Sequence, residues 1–189
     1  MAIPVITPGG PLTKRGKATQ AFTATGGVTA WTCVRASDGE PIADTFSNED
    51  ADSADLTAPN ISEVYTVIAT NGDGADSVTV DVTAVVPFAP DKEFEPEDDL
   101  NVLVFKPDVG QRQTVVLGDN SKFPFIRNTA PAAEKEEMFQ FWQDNYPGRL
   151  VYFTIPSESE DLWELDSGFK RKYRGANLWA YSFDLLRAG

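Results

Sequence analysis

The sequence contains no histidine and only one cysteine, Cys33. Histidine is the commonest general base and metal ligand in proteins, so its absence excludes catalysis by a Ser-His or Cys-His pair. A single cysteine can form neither an intrachain disulfide nor a cysteine-based zinc site. Cys33 lies in the strand-like run VTAWTCV at residues 28–34, where we expect a small buried apolar residue and not a reactive thiol.

Long apolar runs are missing as well. No stretch approaches the roughly 20 apolar residues that span a bilayer. The first residues show no basic segment followed by an apolar core, which a secretory signal requires. We therefore expect no membrane insertion, no secretory signal, and synthesis in a reducing cytosol.

Basic residues are scarce and unevenly placed. The chain has 16 Lys and Arg against 29 Asp and Glu, which gives a net charge of −13. Residues 1–90 contribute −7, residues 91–100 contribute −5 and residues 101–189 contribute −1. General nucleic-acid binding requires a basic surface, so we expect no specific nucleic-acid partner. The negative charge favours solubility and self-repulsion before assembly.

The pattern of residues 1–86 predicts a β-sandwich. Short segments with alternating apolar residues are separated by turns that contain glycine, proline and asparagine, which is typical of this architecture. The predicted strands cover residues 18–25, 28–36, 54–58, 64–70 and 77–86.

These segments resemble bacterial immunoglobulin-like domains. The similarity rests on AFTATGG at 21–27, Trp31, LTAPN at 56–60, YTVIATNG at 65–72 and SVTVDV at 77–82. It implies an immunoglobulin-like β-sandwich for residues 1–86. It implies little about function, because such domains occur in adhesins, secreted enzymes and phage virion proteins alike.

Residues 87–99, PFAPDKEFEPEDD, are rich in proline and acids. This composition buries little apolar surface and favours extended conformations, so it predicts an acidic Pro-rich linker. Residues 100–189 then form a second domain. Its predicted strands cover residues 100–105, 113–117, 150–155, 161–165 and 178–186, and Pro124 is expected to break the apolar segment 123–126.

A helix is predicted between residues 131 and 146. Pro131 suits a first turn, Glu134 lies near the positive end of the helix dipole, and PG at 147–148 ends the helix. Met138, Phe141 and Trp142 recur at helical spacing and form the apolar face. One helix packed on a β-sandwich-like sheet gives an α+β domain, so the whole chain is predicted to be mainly β.

The order of these segments resembles the minor tail protein M family and related short tail proteins of long-tailed bacteriophages. The matching residues are FW at 141–142, PG at 147–148, YFTIP at 152–156, Trp163 and LWAYSFDL at 178–185. The similarity is one of residue types and segment order. A glycine-and-aromatic stretch that is frequent early in that family is reduced here to LGDN at 117–120.

This resemblance implies a non-enzymatic structural protein of a phage tail, made in the host bacterial cytoplasm and located in the virion. Residues 100–189 would form a ring or collar at or near the end of the tail tube, and the immunoglobulin-like domain would project outward. The implied partners are other copies of the chain and neighbouring tail proteins. The alternative is a module that binds a glycan or a protein of the host cell surface through the immunoglobulin-like domain.

Three acid-rich runs are candidates for chemistry, and each has a simpler interpretation. Residues 48–55 fail the EF-hand template, because Asp55 and Ile61 stand where glycine and glutamate are needed for calcium. Residues 71–76 suit a hairpin turn between two strands. The third group could supply the carboxylate pair of a glycosidase, but its surrounding sequence shows no sign of a cleft in which a sugar could stack. Its members are Glu158, Glu160, Asp161, Glu164 and Asp166. We therefore predict no catalytic residue, no metal site and no cofactor.

The only basic cluster is KRKYR at residues 170–174. It can be a polar hairpin tip, an interface for acidic residues of a partner, or a small nucleic-acid site. Phe139 lies about 100° round the helix from Met138, so it is either exposed or used by a neighbour. The predicted interface therefore consists of five residues: Phe139, Lys170, Arg171, Lys172 and Arg174.

Overall fold

The computed structural model describes residues 2–43, 45–91, 97–105, 113–154 and 160–188. The chain divides into two compact units, Met1–Val85 and Val86–Gly189. Strands dominate both units, and the one helix of the described residues lies in the second. The prediction of a mainly β chain with one helix is confirmed. Within the described ranges, no helix has the length and apolar character needed to cross a membrane.

The described part of the first unit contains eight strands: β1 (Val5–Thr7), β2 (Leu12–Arg15), β3 (Thr19–Thr25), β4 (Ala30–Arg35), β5 (Phe46–Ser47), β6 (Ser53–Thr57), β7 (Glu63–Asn71) and β8 (Gly74–Val85). One sheet has the order β1-β3-β6-β5. In the other, β7 lies between β4 and β8, and β2 pairs with β8 in parallel. The remaining pairs within this unit are antiparallel.

Alternation along the strands builds the core of the first unit. Tyr65, Val67 and Ala69 of β7 are fully buried, while the residues between them are more exposed, because successive side chains of a strand point to opposite faces. Phe22 of β3 and Leu56 of β6 are buried in the same core. Full burial of a large apolar side chain such as Phe22 or Leu56 contributes about 1.5–3 kcal/mol to the free energy of unfolding.

Three strands of this unit were missed by sequence reasoning. β1 has three residues and β5 has two, and such lengths are too short for a periodic signal. β2, with the sequence LTKR, contains no apolar alternation. It is held in place by parallel pairing of residues 12–15 with residues 80–83 of β8.

The described part of the second unit contains one helix and six strands: β9 (Glu97–Phe105), β10 (Gln113–Pro131), α1 (Ala132–Asn145), β11 (Leu150–Thr154), β12 (Glu160–Leu165), β13 (Lys170–Gly175) and β14 (Leu178–Arg187). β14 pairs with β10 along one edge and with β12 and β13 along the other. β9 pairs with β10, and β11 pairs with β12. All of these pairs are antiparallel.

Aromatic residues fill the core of the second unit. Phe125 of β10 stacks on Phe183 of β14 with ring centroids 4.7 Å apart. The helix packs on this layer through the buried side chains of Met138 and Phe141. Trp142, which was predicted to share the apolar face, is only half-buried. Pro131 stands at the N-cap position instead of inside the first turn.

The predicted break at Pro124 is wrong, because β10 is one continuous strand. β9 pairs with β10 only as far as Lys122, whereas Pro124 pairs with Asp184 of β14. On its other edge, Pro124 has no strand neighbour among the described residues. Proline has no N–H to donate, and it is tolerated where only one edge of a strand is paired.

The predicted linker at residues 87–99 is also wrong in part. The N–H of Asp91 donates to the carbonyl oxygen of Ile126 at 3.0 Å, so Asp91 is attached to β10. Residues 97–99 are the first residues of β9, and residues 92–96 lie outside the described residues. Acidic residues can enter the sheet here because the main-chain bonds of a strand pair do not require apolar side chains.

Candidate functional site

The strand arrangement of the first unit is that of a constant-type immunoglobulin domain. Such a domain places its first, second, fifth and fourth strands in one sheet, and its third, sixth and seventh strands in the other. If β2 is taken as an added strand, β1-β3-β6-β5 and β4-β7-β8 follow this order.

Two side chains of the first unit agree with this arrangement. Tyr65 lies near the start of β7, and its hydroxyl donates to the carbonyl oxygen of Ile61 at 3.5 Å, which is the tyrosine corner of these domains. Trp31 of β4 is buried, as is the tryptophan on the third strand of such domains. Val67 occupies the position two residues after the tyrosine, where antibody domains have a cysteine. The first unit is an immunoglobulin-like domain.

β13 lies at an edge of the sheet of the second unit. It pairs with β14, and its other edge meets no strand of the described residues. Lys170, Arg171, Lys172 and Arg174 are all exposed. The ion pairs found in the described ranges involve other residues. We refer to β13 with these four cations as the basic edge.

The basic cluster is therefore a strand, and its interpretation as a polar hairpin tip is wrong. The tip is formed by Ala176 and Asn177, which connect β13 to β14 with φ values of 49° and 59°. Two successive residues with positive φ are typical of a type I′ turn, whose twist matches that of the flanking strands. The cluster had no apolar alternation from which a strand could be predicted.

One side of the basic edge packs on the helix. The guanidinium carbon of Arg171 lies 5.0 Å from the ring centroid of Phe139. The Phe139 ring in turn lies 6.3 Å from Trp142 and 5.3 Å from Phe169, measured between centroids. The structure thus brings together two residues of the predicted interface, and Phe139 is half-buried. Whether they contact a neighbouring copy stays a prediction.

A second contact supports the same side of the strand. The rings of Tyr173 and Trp179 lie 5.1 Å apart, and the ammonium nitrogen of Lys135 lies 4.7 Å from the Trp179 ring. Lys135 is buried in the helix and pairs with Glu136. The two cation–π contacts and the aromatic pair hold β13 in a fixed position beside α1.

The opposite side of the basic edge borders a cleft of about 220 Å³. Lys170 and Lys172 line it together with their register partners on β14, Ser182 and Ala180. The small side chains of β14 leave room between the lysines and Ile126 of β10. The remaining lining residues are Arg127, Asn128, Arg171, Arg174 and Tyr181. No carboxylate occurs among these ten residues, so the cleft is strongly positive.

Arg127, which also borders the cleft, is neutralised by two carboxylates. Its Nε and Nη2 donate to Glu134 at 2.7 and 3.1 Å, and its Nη1 donates to Asp91 at 2.8 Å. The bond to Glu134 raises the pKa of the guanidinium above its already high value. The hydroxyl of Tyr181 also donates to Glu134, at 3.1 Å, and burial raises the pKa of this phenol. The uncompensated positive charge of the cleft therefore belongs to β13.

The acidic run at residues 48–55 caps its own turn. The Oδ1 of Asp50 accepts the backbone N–H groups of Asp52 and Ser53 at 2.8 and 2.6 Å. These bonds, with that of Asp52 the largest effect, lower the pKa of Asp50. No group of three potential metal ligands occurs in the described ranges.

The run at residues 71–76 is a hairpin between β7 and β8, as predicted. The Oδ1 of Asn71 accepts the N–H groups of Asp73 and Gly74 at 2.9 and 3.2 Å. Its amide donates to the carbonyl oxygens of Ala2 and Gly26 at 2.8 and 2.7 Å. Asn71 therefore ties together the hairpin and two other segments of the domain.

Carboxylates near β12 pair with cations of their own sheet. Asp161 lies 2.9 Å from Arg187, and Asp166 lies 2.9 Å from Lys122, which is also 3.4 Å from Asp184. The bond to Asp166 raises the pKa of Lys122. Glu158, a member of the predicted acidic group, lies outside the described residues.

Cys33 is buried in the first unit, as predicted. Burial raises the pKa of its thiol to about 11, although a bond with Thr45 acts in the opposite direction. A neutral buried thiol is a poor nucleophile, because the thiolate is the reactive species.

Comparison with known proteins finds similarity to solved structures alone. The chain matches no protein-family model and no curated protein. Among solved structures, it is similar to the titin–obscurin-like 1 Ig complex, with 18% identity over 46% of this chain and 97% of that chain and a TM-score of 0.34. A pair of tandem titin Ig domains gives 8% identity over 97% of this chain and 80% of that chain, with a TM-score of 0.31. The N-terminal eight Ig domains of Down Syndrome Cell Adhesion Molecule give 13% identity over 98% of this chain and 32% of that chain, with a TM-score of 0.33.

Proposed function

We propose that this chain is a non-enzymatic structural component of a bacteriophage tail. In this proposal the second unit joins neighbouring copies into a ring or collar at or near the end of the tail tube, and the immunoglobulin-like domain is carried on that assembly. The phage assignment is supported by the resemblance of residues 100–189 to short tail proteins. The assembly role is supported by one observation, the exposed basic edge.

An exposed strand edge presents unpaired N–H and C=O groups that can pair with another chain. In this unit the edge strand is held by Arg171 on Phe139 and by Tyr173 beside Trp179, so little order is lost when a partner binds. The four cations of the basic edge would favour an acidic partner, and this chain carries a net charge of −13. Complementary charges raise association rates and select the partner.

Electron microscopy and mass photometry of the purified full chain, alone and with neighbouring tail proteins, test the proposal. We expect closed rings, and we expect an antibody against the chain to label the tails of purified virions. A chain that remains monomeric with tail proteins present, and that is missing from purified virions, would overturn the proposal.

A further inference from the structure

β9 forms a second end of the sheet of the second unit, as far as the described residues show. Along the path β13-β14-β10-β9, the strands β13 and β9 stand at opposite ends. The outer edge of β9, like that of β13, meets no strand of the described residues. Among the described strands, this sheet therefore has two edges without a strand partner, at two different places on the same unit.

The two edges differ in charge. β9 begins with Glu97, Asp98 and Asp99, whereas β13 contributes Lys170, Arg171, Lys172 and Arg174. Like charges directly opposite each other destabilise a strand pair, and opposite charges stabilise it. Pairing of β13 with a second β13 is therefore disfavoured, and so is pairing of the acidic part of β9 with itself. Pairing of β9 with β13 is the favoured combination.

The β9 edge also lacks support from a third strand. Residues 113–121 of β10 pair with β9, whereas β14 pairs with β10 only from Lys122 onward. Over this stretch the described residues thus form a two-stranded ribbon. Its sequence is rich in apolar residues, with LNVLVF in β9 and VVL in β10. Isolated two-stranded ribbons are marginally stable in water, and a further strand stabilises them.

From this placement we infer that the outer edge of β9 in one copy pairs with the outer edge of β13 in the next copy. The sheet then continues from subunit to subunit, with acidic residues 97–99 near the basic edge of the neighbour. This contact is head-to-tail, because it joins two different surfaces of the same chain, and such contacts close into rings when the rotation between subunits permits. The inference rests on the proposed function and says how neighbouring copies dock.

Complementary charge reversal tests this docking mode in the full chain. The first variant carries Lys170→Glu and Lys172→Glu, and the second carries Glu97→Lys and Asp98→Lys. Each variant alone introduces like charges into the β9–β13 contact, so we expect the association constant to fall by at least about tenfold. A mixture of the two restores opposite charges at both kinds of contact, so we expect assembly to return with the two variants alternating.

A matched control changes the same number of charges elsewhere. Lys14→Glu with Lys17→Glu alters the first unit, and we expect it to assemble like the unmodified chain. Circular dichroism and thermal melting check that all variants are folded. If reversal at residues 97 and 98 has no effect, or if mixing does not restore assembly, the inference is wrong.

A disulfide trap tests the contact even where assembly is weak. In a Cys33→Ala background, Lys172→Cys is combined in turn with Glu97→Cys, Asp98→Cys and Asp99→Cys. We expect oxidation to give a ladder of cross-linked oligomers for at least one pair, whereas Lys14→Cys with Asp98→Cys gives none. The absence of any ladder from all three pairs would overturn the inference.

The two proposals fail in different ways. Rings that form regardless of the charge on β9 would contradict this docking mode and leave the tail function standing. Cross-linking between β9 and β13 in a chain that is missing from virions would support the docking mode and contradict the tail function.

Discussion

The guanidinium group of Arg171 lies over the ring of Phe139, with 5.0 Å between the guanidinium carbon and the ring centroid. Phe139 was singled out from the sequence because it falls outside the apolar face of the helix. It is half-buried, stacks on Trp142 and packs against the tilted ring of Phe169. One part of the basic edge is therefore supported from inside the unit, while Lys170 and Lys172 border the cleft on the other side.

Replacing Phe139 by Asp is expected to destabilise the second unit as well as disturb assembly. The substitution removes the ring from contact with Trp142 and Phe169 and takes away the support of Arg171. For a half-buried ring we expect a loss of about 1–2 kcal/mol in the free energy of unfolding, measured by urea denaturation. Arg171→Ala removes only the cation–π contact and should cost about 0.5–1 kcal/mol. Equal stability of Phe139→Asp and the unmodified chain would contradict the packing seen here.

The turn between β13 and β14 contains a residue that glycine would suit better. Ala176 has a φ of 49°, and the left-handed conformation costs a residue with a Cβ roughly 1–2 kcal/mol. Glycine avoids this cost but loses more conformational entropy on folding, which offsets part of the gain. We therefore expect Ala176→Gly to raise the stability of the second unit by about 0.5–1 kcal/mol. The matched control is Ala180→Gly within β14, where glycine should lower stability by about 0.5–1 kcal/mol. A destabilising Ala176→Gly would show that the turn has another conformation.

The stability of the immunoglobulin-like domain should depend on pH through Cys33. The thiol has a pKa of about 11 in the folded chain, compared with an ordinary value of 9.0. Above pH 9 the unfolded chain therefore ionises while the folded chain does not, so this contribution to stability is lost as the pH rises toward 11. Since each pKa unit corresponds to about 1.36 kcal/mol, we expect the free energy of unfolding to fall by about 2 kcal/mol by pH 11.

Cys33→Ala isolates this effect from the titration of lysine and tyrosine residues. The difference in unfolding free energy between the two chains should be constant below pH 9 and should shift in favour of Cys33→Ala between pH 9 and pH 11. A difference that does not change with pH would contradict the raised pKa. Labelling of the thiol in the unmodified chain should also be slow until the domain unfolds.

Much of the first unit could be predicted from its sequence. Tyr65, Val67 and Ala69 alternate with more exposed residues, and the buried side of β7 follows directly from that alternation. β1, β2 and β5 could not be predicted in the same way, because their positions depend on pairing with distant strands. The type I′ turn at Ala176 could not be predicted either, since such turns usually contain asparagine followed by glycine and this one contains alanine followed by asparagine.

The candidate site was predicted as a set of residues but not as a surface. Phe139 and Arg171 are 32 positions apart in the sequence, and their contact depends on how α1 and β13 pack against β14. The role of Asp91 was hidden for a similar reason. Its neighbours suggest an acidic Pro-rich linker, whereas its carboxylate binds groups on β10 that no local pattern reveals.

Asp91 is expected to stabilise the second unit through several hydrogen bonds at once. Its carboxylate accepts the N–H groups of Asn128 and Thr129 and pairs with Arg127 at 2.8 Å. Asp91→Ala would leave these donors without their acceptor, at the irregular register between Arg127 and Ala130. Hydrogen bonds to charged groups contribute about 1.5–3 kcal/mol, and less where the group is partly exposed, as this carboxylate is. We therefore expect Asp91→Ala to lower the free energy of unfolding by about 1–2 kcal/mol.

Asp166→Ala provides the comparison, because it removes a carboxylate from an exposed ion pair with Lys122. Exposed ion pairs contribute about 0–1 kcal/mol, so this variant should differ little from the unmodified chain in urea denaturation. Hydrogen exchange locates the effect, since Asp91→Ala should speed exchange of the Asn128 and Thr129 amides while Asp166→Ala leaves them unchanged. If both variants lose the same stability and neither changes those amides, Asp91 does not hold the start of this unit to β10, and residues 87–91 behave as the linker that their composition predicts.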